Sequence, residues 1–288
     1  INPATSEVIA VIPRSNLNDV NEAVSAADKA RDKWSSLSLD ERRKWLEKIA
    51  NALEARSEEI AKLESLDTGK PIKIARAVDA SRSVANFRFF AEFSKDFHEQ
   101  KFLMEDATNH VIFKPVGIAG LITPWNLPLY LLSWKIAPAI VMGNTVVAKP
   151  SELTPLTANL LAEVFDEVGL PAGVVNIVHG FGHETGQAIV SHPHVNLISF
   201  TGGTITGKKV AETAAPMFKK LSLELGGKNA TIVLDDVNLD SAIPEIARSG
   251  FLNQGQVCLC GSRILVSDKI WDDFLEKFID HVLSLIHI

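Results

Sequence analysis

Three side chains that could take part in covalent or acid–base chemistry lie where predicted strands meet loops. Cys258 lies in the stretch GQVC, Glu224 lies in LSLELGG before paired glycines, and Asn126 lies in TPWNLP after a strand pattern. An ionised thiol is a nucleophile, a carboxylate accepts protons, and a carboxamide donates hydrogen bonds. Because open α/β sheets bind ligands at the ends of their strands, these residues are candidates for one site. Each also has a structural alternative: a core cysteine, a glutamate that caps a turn, or an asparagine of a turn.

Two glycine-rich turns could bind a phosphate group. The first, GFGHETG at 180–186, follows a strand pattern and spaces its glycines one residue wider than the dinucleotide fingerprint. The second, GGTITGKK at 202–209, begins like a P-loop but has Lys209 where serine or threonine would hold magnesium. Both turns would present free backbone N–H groups at the start of a helix, where anions are favoured. A turn that only starts a helix is the alternative for each.

A third motif, AKPSE, places Lys149 and Glu152 three residues apart at the end of a strand pattern. A carboxylate at this position can accept both hydroxyl groups of an adenosine ribose and would repel a 2′-phosphate. The motif therefore favours NAD over NADP. Together with the wider glycine spacing, it predicts a dinucleotide that binds in an unusual pose.

The spacing of apolar residues predicts a helical region up to residue 93 and an α/β region after Asn109. Helical patterns cover 21–34, 38–55 with a capping box at Ser38 and Glu41, 57 to the stop signals Gly69 and Pro71, and 75–93. After Asn109, strand patterns alternate with helical patterns. The strand patterns lie at 110–117, 117–123, 144–150, 173–180, 195–203, 219–227, 230–236 and 263–268. The helical patterns lie near 130–142, 205–215, 239–253 and 269–282, and two more begin at about 154 and 183. This alternation is typical of the α/β class with a doubly wound parallel sheet.

One uncharged run needs a separate explanation. From Val116 to Ala148 there are 33 positions and one charge, Lys135. Prolines and glycines interrupt every window of about 20 residues that a membrane helix would need. We therefore expect two buried strands that flank a buried helix, with polar residues only where the strands reach the site.

The bulk composition is that of a globular protein. The 288 residues are 46% hydrophobic and 22% charged, with a net charge of -6, which argues against nucleic-acid binding. The cysteines, Cys258 and Cys260, are too close for an ordinary disulfide and too few for structural zinc, so we expect no metal site and a reducing, cytoplasmic compartment. No signal-peptide pattern opens the chain, although it lacks an initiator methionine and a native leader can be missing.

The motifs TPWN, AKPSE, FTGG, LELGGK and NQGQVC, taken as a set, resemble the NAD(P)-dependent aldehyde dehydrogenase superfamily. The resemblance extends from the stretch NPATSEVI to about Val282. Within the superfamily, PWNLPLYLLSWKIAPA, NFRFFA and VCLC are most similar to the 2-aminomuconic semialdehyde dehydrogenase branch of tryptophan catabolism.

The resemblance implies roles for the three residues. Cys258 would attack the aldehyde carbon, the Asn126 amide and the Cys258 N–H would hold the oxyanion, and Glu224 would activate water. Arg82, on the same helical pattern as Arg88, would bind a substrate carboxylate, with a solvated helix arginine as the alternative. The cofactor would be NAD, and these residues would bind it: Thr123, Pro124, Trp125, Lys149, Ser151, Glu152, Gly182, Phe200, Thr201, Gly202, Gly203, Thr204, Gly207, Leu225 and Gly226.

The resemblance also implies a domain plan and partners. Residues 1–96 and 116–226 would form the NAD-binding domain, 97–115 the start of an oligomerisation strand region, and 227–288 the N-terminal part of the catalytic domain. The partners would be an aldehyde substrate and, in the parent enzyme, further copies in a dimer or tetramer. We expect neither nucleic acid nor membrane as a partner.

The chain also departs from the family pattern. It ends 30 residues after Cys258, before an E-x-F-G-P motif, the rest of the catalytic domain and a C-terminal oligomerisation strand. The tail from Leu283 to Ile288, LSLIHI, reads like a translated sequencing-adapter end. We therefore expect the 288-residue chain alone to be inactive and to aggregate.

The sequence also leaves other functions to be considered. An acylating relative would pass the thioester to coenzyme A, but Glu224 argues for a dedicated water-activating base. A non-catalytic dinucleotide-binding scaffold is disfavoured by the presence of Cys258, Glu224 and Asn126 together, and a P-loop NTPase by Lys209.

Overall fold

The computed structural model describes residues 1–285, so the last three residues of the predicted non-native tail lie outside the described part. The chain divides into two compact units, Ile1–Glu224 and Leu225–Ile288. Within the described residues, none of the helices has the length and apolarity that a bilayer crossing requires.

Three helices open the first unit as the sequence predicts. They are α1 Leu17–Ser35, α2 Leu39–Ala55 and α3 Ser57–Thr68. Ser38 and Glu41 form the predicted capping box of α2, and α1 has a further one at Asn16. Helix α3 ends where Gly69 adopts a left-handed φ of 74°.

The predicted helix 75–93 is not uniform. A short helix α4, Ile72–Ile74, leads into a π-helical segment, Ala75–Ala80, before α5, Ser81–Phe93. The wider segment contains the buried Asp79, which accepts hydrogen bonds from the buried Lys70. Apolar periodicity could not show this pairing, because both residues are charged.

The predicted parallel sheet forms the centre of the first unit. Its strands are β3 Ile118–Ile122, β4 Thr145–Lys149, β5 Val175–Ile177, β6 Val195–Gly202 and β7 Lys220–Leu225. The order is β5-β4-β3-β6-β7, and β3 pairs in parallel with both β4 and β6. Chain connections therefore run in opposite directions from β3 and from β6, which makes the gap between these strands a topological switch point.

Helices cover both faces of this sheet. They are α6 Pro128–Val141, α7 Leu156–Glu167, α8 Gln187–Ser191 and α9 Thr204–Ala214. Along β3, Ala119 and Leu121 belong to one buried cluster and Ile118 and Ile122 to the other. At Gly120 an added Cβ would lie 2.7 Å from the Ile189 side chain, so only glycine permits this approach of α8. The doubly wound α/β prediction is confirmed.

The uncharged run has the predicted structure. Strands β3 and β4 are buried along their whole length, and α6 between them contributes mainly buried residues. Lys135, the one charge, is also buried on α6.

The segment before the sheet differs in part from prediction. Strands β1 Gln100–Leu103 and β2 Thr108–Val111 form an antiparallel hairpin with every residue exposed. The predicted strand 110–117 ends at Val111, because the pairing with β1 ends at Gln100 and Pro115 lacks an N–H.

The second unit contains two helices and a small sheet. Strands β8 Ala230–Val233 and β9 Arg263–Val266 pair in parallel, and α10 Leu239–Phe251 and α11 Trp271–Ser284 complete the unit. Its core is Val233, Leu239, Ile243, Ile246 and Phe274. Short 3₁₀ segments at Ser94–Asp96, Ala215–Met217, Leu252–Gly255 and Asp268–Ile270 and a π-helical turn at Gly182–Gly186 complete the described elements.

Candidate active site

The loop that carries Asn126 leaves the carboxyl end of β3 at the switch point. Asn126 is partly buried and Trp125 is 42% exposed, whereas Thr123 is buried. The Trp125 carbonyl accepts a hydrogen bond from Thr154 Oγ1 at 3.3 Å, which ties this loop to the loop after β4. The Asn126 carbonyl accepts one from Lys70 Nζ at 3.2 Å. The catalytic candidate is therefore held from both sides through backbone oxygens.

The loop after β4 presents the predicted ribose-binding pair. Lys149 is buried, and its Nζ lies 2.5 Å from Glu152 Oε2. Burial raises the pKa of Glu152, but hydrogen bonds from Lys149 and from the Gly182 backbone outweigh it, so the net pKa lies below the usual value. Glu152 is thus an anion at neutral pH, with part of its carboxylate open to solvent. Such a group can accept hydroxyl hydrogen bonds.

The start of α9 has the properties of an anion site. Gly203 is the N-cap of α9 and supplies no side-chain cap, and Gly203, Thr204 and Ile205 are exposed. An added Cβ at Gly203 would meet no atom within 4 Å, so open space lies over this turn. Exposed N–H groups at a helix start favour a pyrophosphate. The described residues therefore fit a dinucleotide here.

Neighbouring glycines have different reasons to be glycine. At Gly202 an added Cβ would lie 2.5 Å from the Phe200 ring, so Gly202 makes room for that buried ring. Gly207 is buried within α9, and its N–H bonds to the Gly203 carbonyl at 2.9 Å. Gly182 starts the π-helical turn with open space where a side chain would be. Of these glycines, Gly203 and Gly182 are therefore the better candidates for contact with a phosphate group, because open space lies beside each.

The Glu224 carboxylate lies near the end of β7 and is exposed. Lys135, on α6, donates a hydrogen bond to Ser199 Oγ of β6 at 2.6 Å. Burial lowers the pKa of Lys135 to about 8, and the negative charge of Glu224 partly opposes that shift. Sequence reasoning assigned Lys135 no role, although it was the single charge in an uncharged run.

The cysteines lie in the second unit and differ sharply in exposure. Cys258 is exposed and Cys260 is buried, so the core alternative holds for Cys260. The Cys258 carbonyl accepts a hydrogen bond from Asn229 Nδ2 at 2.9 Å. Just before this turn, Asn253 and Gln254 have φ values of 53° and 56°. Residues other than glycine rarely adopt this left-handed backbone region. Such backbone conformations are common near functional sites.

The two arginines of α5 also differ. Arg88 forms an ion pair with Glu54 at 2.6 Å, whereas Arg82 is exposed and forms no ion pair within residues 1–285. One turn further along, Asn86 Nδ2 donates to Ser133 Oγ at 2.8 Å, which joins α5 to α6. Arg82 is therefore the arginine of this pair whose guanidinium is open to a ligand.

Most sequence-predicted site residues follow strands of one sheet. Asn126 follows β3, Lys149 ends β4, Gly202 ends β6 and Glu224 lies near the end of β7. Of the other predicted cofactor residues, Thr123, Ser151 and Phe200 are buried, Pro124 and Thr201 are partly buried, and Leu225 and Gly226 are exposed. Cys258 belongs to the other unit, and its convergence with Asn126 and Glu224 stays a prediction. Residues 1–285 contain no cluster of three side chains suited to hold a metal.

Comparison with known proteins identifies the family. The model of the aldehyde dehydrogenase family matches residues 1–287. The chain belongs to the aldehyde dehydrogenase family. It is 50% identical over 280 residues to 2-aminomuconic semialdehyde dehydrogenase of Homo sapiens, covering 96% of this chain and 58% of that protein.

Solved aldehyde dehydrogenase structures share the fold. The crystal structure of a putative aldehyde dehydrogenase from Burkholderia cenocepacia matches with a TM-score of 0.94 and 46% identity over 97% of this chain and 57% of that chain. The NAD+ complex of an aldehyde dehydrogenase from Bacillus cereus matches with a TM-score of 0.94 and 40% identity over 97% and 58%. The chain thus spans less than two thirds of the length of the relatives it matches.

Proposed function

We propose that this chain carries the cofactor-binding part and the nucleophile of an NAD-dependent, non-acylating aldehyde dehydrogenase. The substrate would be a semialdehyde that bears a carboxylate, and the product the carboxylic acid. The observation that carries the proposal is the grouping of Asn126, Glu152 and the open start of α9 on loops at one sheet's switch point, in a chain of this family.

The cofactor would lie across the switch point. Glu152 would accept the hydroxyl hydrogen bonds of the adenosine ribose, and its negative charge would repel a 2′-phosphate. The N–H groups at the start of α9 would hold the pyrophosphate. Trp125 would line the channel, and the other predicted cofactor residues would surround these groups. When bound, NAD accepts a hydride from the substrate carbon.

Cys258 would form and break the covalent bond to substrate. Its thiolate would attack the aldehyde carbon, and the carbonyl oxygen would become an oxyanion. Asn126 Nδ2 and the Cys258 N–H would stabilise this oxyanion, each by about 3 kcal/mol. Loss of hydride leaves a thioester on the sulfur. Glu224 would take a proton from water, the hydroxide would attack the thioester, and the acid would leave while the thiolate is regenerated.

The exposure of Glu224 supports hydrolysis over transfer to coenzyme A. A water molecule can reach its carboxylate from solvent, because Glu224 is exposed near the end of β7. We therefore infer that water completes the reaction.

The relative named for 2-aminomuconic semialdehyde points to an acidic substrate. Arg82 would hold the substrate carboxylate, since it is exposed and forms no ion pair within the described chain. In a full-length enzyme, R82A should lower kcat/KM for acidic aldehydes about tenfold and leave neutral aldehydes nearly unchanged. R88A, which removes the arginine paired with Glu54, is the matched control. Equal losses for acidic and neutral aldehydes would reject this role.

We further propose that activity needs the further length that the relatives possess, since this chain spans 58% of the Homo sapiens relative, and that the 288-residue chain alone is inactive. The parent would be a cytoplasmic dimer or tetramer, with residues 97–115 in the oligomerisation region. The exposed β1–β2 hairpin in this segment supports that assignment, because an exposed sheet edge can pair with another chain.

The deciding experiment measures NADH formation. A full-length enzyme that contains this chain is supplied with NAD or NADP and a panel of acidic and neutral aldehydes, with C258A as control. We expect turnover with NAD and an acidic semialdehyde. Tight NAD binding without turnover of any aldehyde would favour the scaffold alternative.

A further inference from the structure

A cluster of buried charges lies behind the Asn126 loop. Glu64, Lys70 and Asp79 are 0%, 1% and 0% exposed, and the proposed reaction uses none of them. Removing charged groups from water is unfavourable unless their contacts compensate. Their contacts reach the loop and helix that follow β3.

Lys70 joins the cluster to the backbone of Asn126. Its Nζ lies 2.9 Å and 2.8 Å from the two carboxylate oxygens of Asp79, and it donates a third hydrogen bond to the Asn126 carbonyl at 3.2 Å. Asp79 holds the ammonium in a fixed place, since two oxygens of one carboxylate flank it. This carbonyl belongs to Asn126, the residue whose side-chain amide is the candidate hydrogen-bond donor to the oxyanion.

Glu64 secures the next turn of the chain. Helix α6 has Leu127 at its N-cap, and Leu127 has no side-chain acceptor for the first N–H groups. Glu64 Oε1 fills this role from α3, because it accepts hydrogen bonds from the Leu129 N–H at 3.0 Å and from Thr157 Oγ1 at 2.9 Å. Burial, together with the charge of Asp79, raises the pKa of Glu64 to about 8. Asp79 is the counter-ion of Lys70, because both of its carboxylate oxygens lie within 2.9 Å of Lys70 Nζ.

We propose that Lys70, clamped by Asp79 and assisted by Glu64, is a positioning residue that fixes the Asn126 amide at the oxyanion. This inference rests on the proposed function of Asn126. Without the Lys70 contact, the backbone at Asn126 could rotate and its carboxamide would leave the oxyanion. Cofactor groups on the loops after β4 and β6 would keep their own contacts.

The test compares K70M with K70R, D79N and R42M in the full-length enzyme. Met keeps the length and burial of Lys70 without its charge, and Arg keeps the charge. R42M is the matched control, because buried Arg42 also donates to a backbone carbonyl, that of Val141 at 2.7 Å, near the other end of α6. The readouts are single-turnover NADH formation, NAD affinity and hydrogen exchange of the peptide 123–131.

We expect K70M and D79N to slow NADH formation about 10- to 100-fold, with NAD affinity changed less than about threefold. K70R should recover part of the rate, and R42M should keep it. In an N126A background K70M should cause no further loss, because Lys70 acts through Asn126. In K70M, exchange in 123–131 should accelerate while exchange in 150–156 stays unchanged.

Three outcomes would overturn the inference: an equal K70M loss with and without Asn126, a matching loss in R42M, or unchanged exchange in 123–131. If K70M does not fold, the rates and the exchange of D79N and K70R are compared with those of wild type in the same way. If the wild-type enzyme oxidises no aldehyde but the exchange result holds, the proposed function fails while the anchoring of the loop stands.

Discussion

The two units support their site residues in different ways. In Ile1–Glu224 the strands β3 and β4, which lead to Asn126 and Glu152, are buried throughout, and charged side chains such as Lys70 and Lys135 are buried as well. In the described part of the second unit, 225–285, no charged side chain is buried. There the hydrogen bonds that hold the Cys258 turn include those from Asn229 Nδ2 to the Cys258 carbonyl and from the Gly261 N–H to Ser249.

Exposure of apolar side chains shows the same difference. In the small β8–β9 sheet, Ile232 is 68% and Leu265 50% exposed, and Leu259 near the cysteine is 77% exposed. In β3 and β4 every residue is buried. Clustered apolar exposure marks a surface that pairs with other protein. The chain spans 58% of the length of the Homo sapiens relative, and we propose that the remaining part covers this sheet, which would complete the support for Cys258.

The cysteine pair offers the largest effect. C258A in a full-length enzyme should lower aldehyde oxidation by at least about a thousandfold, because the nucleophile is lost. C260A should keep most activity and lower the free energy of unfolding by about 1 kcal/mol, since it removes a buried sulfur. Steady-state NADH formation and urea unfolding measure the two effects. Equal activity losses would show that both sulfurs serve the reaction.

A pair of core substitutions compares the two units directly. L132A, in α6, should reduce the free energy of unfolding by about 2–5 kcal/mol, because Leu132 is fully buried. I232A should cost less than about 0.5 kcal/mol in the 288-residue chain, where Ile232 is exposed. In a full-length enzyme we expect I232A to cost clearly more. The same small cost in both proteins would mean that nothing covers β8.

Glu152 tests the cofactor loops of the first unit. E152Q keeps the size and removes the charge that would repel a 2′-phosphate, so the preference for NAD over NADP should fall about tenfold. Cofactor affinities from Trp fluorescence quenching give this ratio. E163Q is the control, because Glu163 is a surface glutamate of α7 paired with Arg56. An unchanged ratio in E152Q would place NAD discrimination elsewhere.

The sequence predicted the helices and strands of the first unit better than the buried contacts that hold its site loops in place. Periodicity, caps and glycine signals located nearly every helix and strand, because each is a local property of the chain. The contact between Lys70 and Asn126 joins residues 56 positions apart, so no local pattern indicates it. The π-helical segment at Ala75–Ala80 was missed for a related reason, since its apolar spacing resembles that of an α-helix. Asn126 and Glu152 were found because their motifs stand beside strand ends.

A further prediction concerns pH and the buried Lys135. Its pKa is about 8 in the folded protein, chiefly through burial, and about 10.4 for an unfolded lysine. Between these values the unfolded chain binds more protons than the folded one, so Lys135 makes stability rise with pH by at most about 1.4 kcal/mol per pH unit. The stability of wild type relative to K135M should therefore increase from pH 8 to 10 and stay level from pH 6 to 7.

Thermal unfolding of both proteins from pH 6 to 10 measures the difference in stability. A difference that stays flat up to pH 10 would show that α6 accommodates the Lys135 charge at no cost. Because residues 225–285 bury no charged side chain, substitutions in the second unit should show no comparable alkaline dependence.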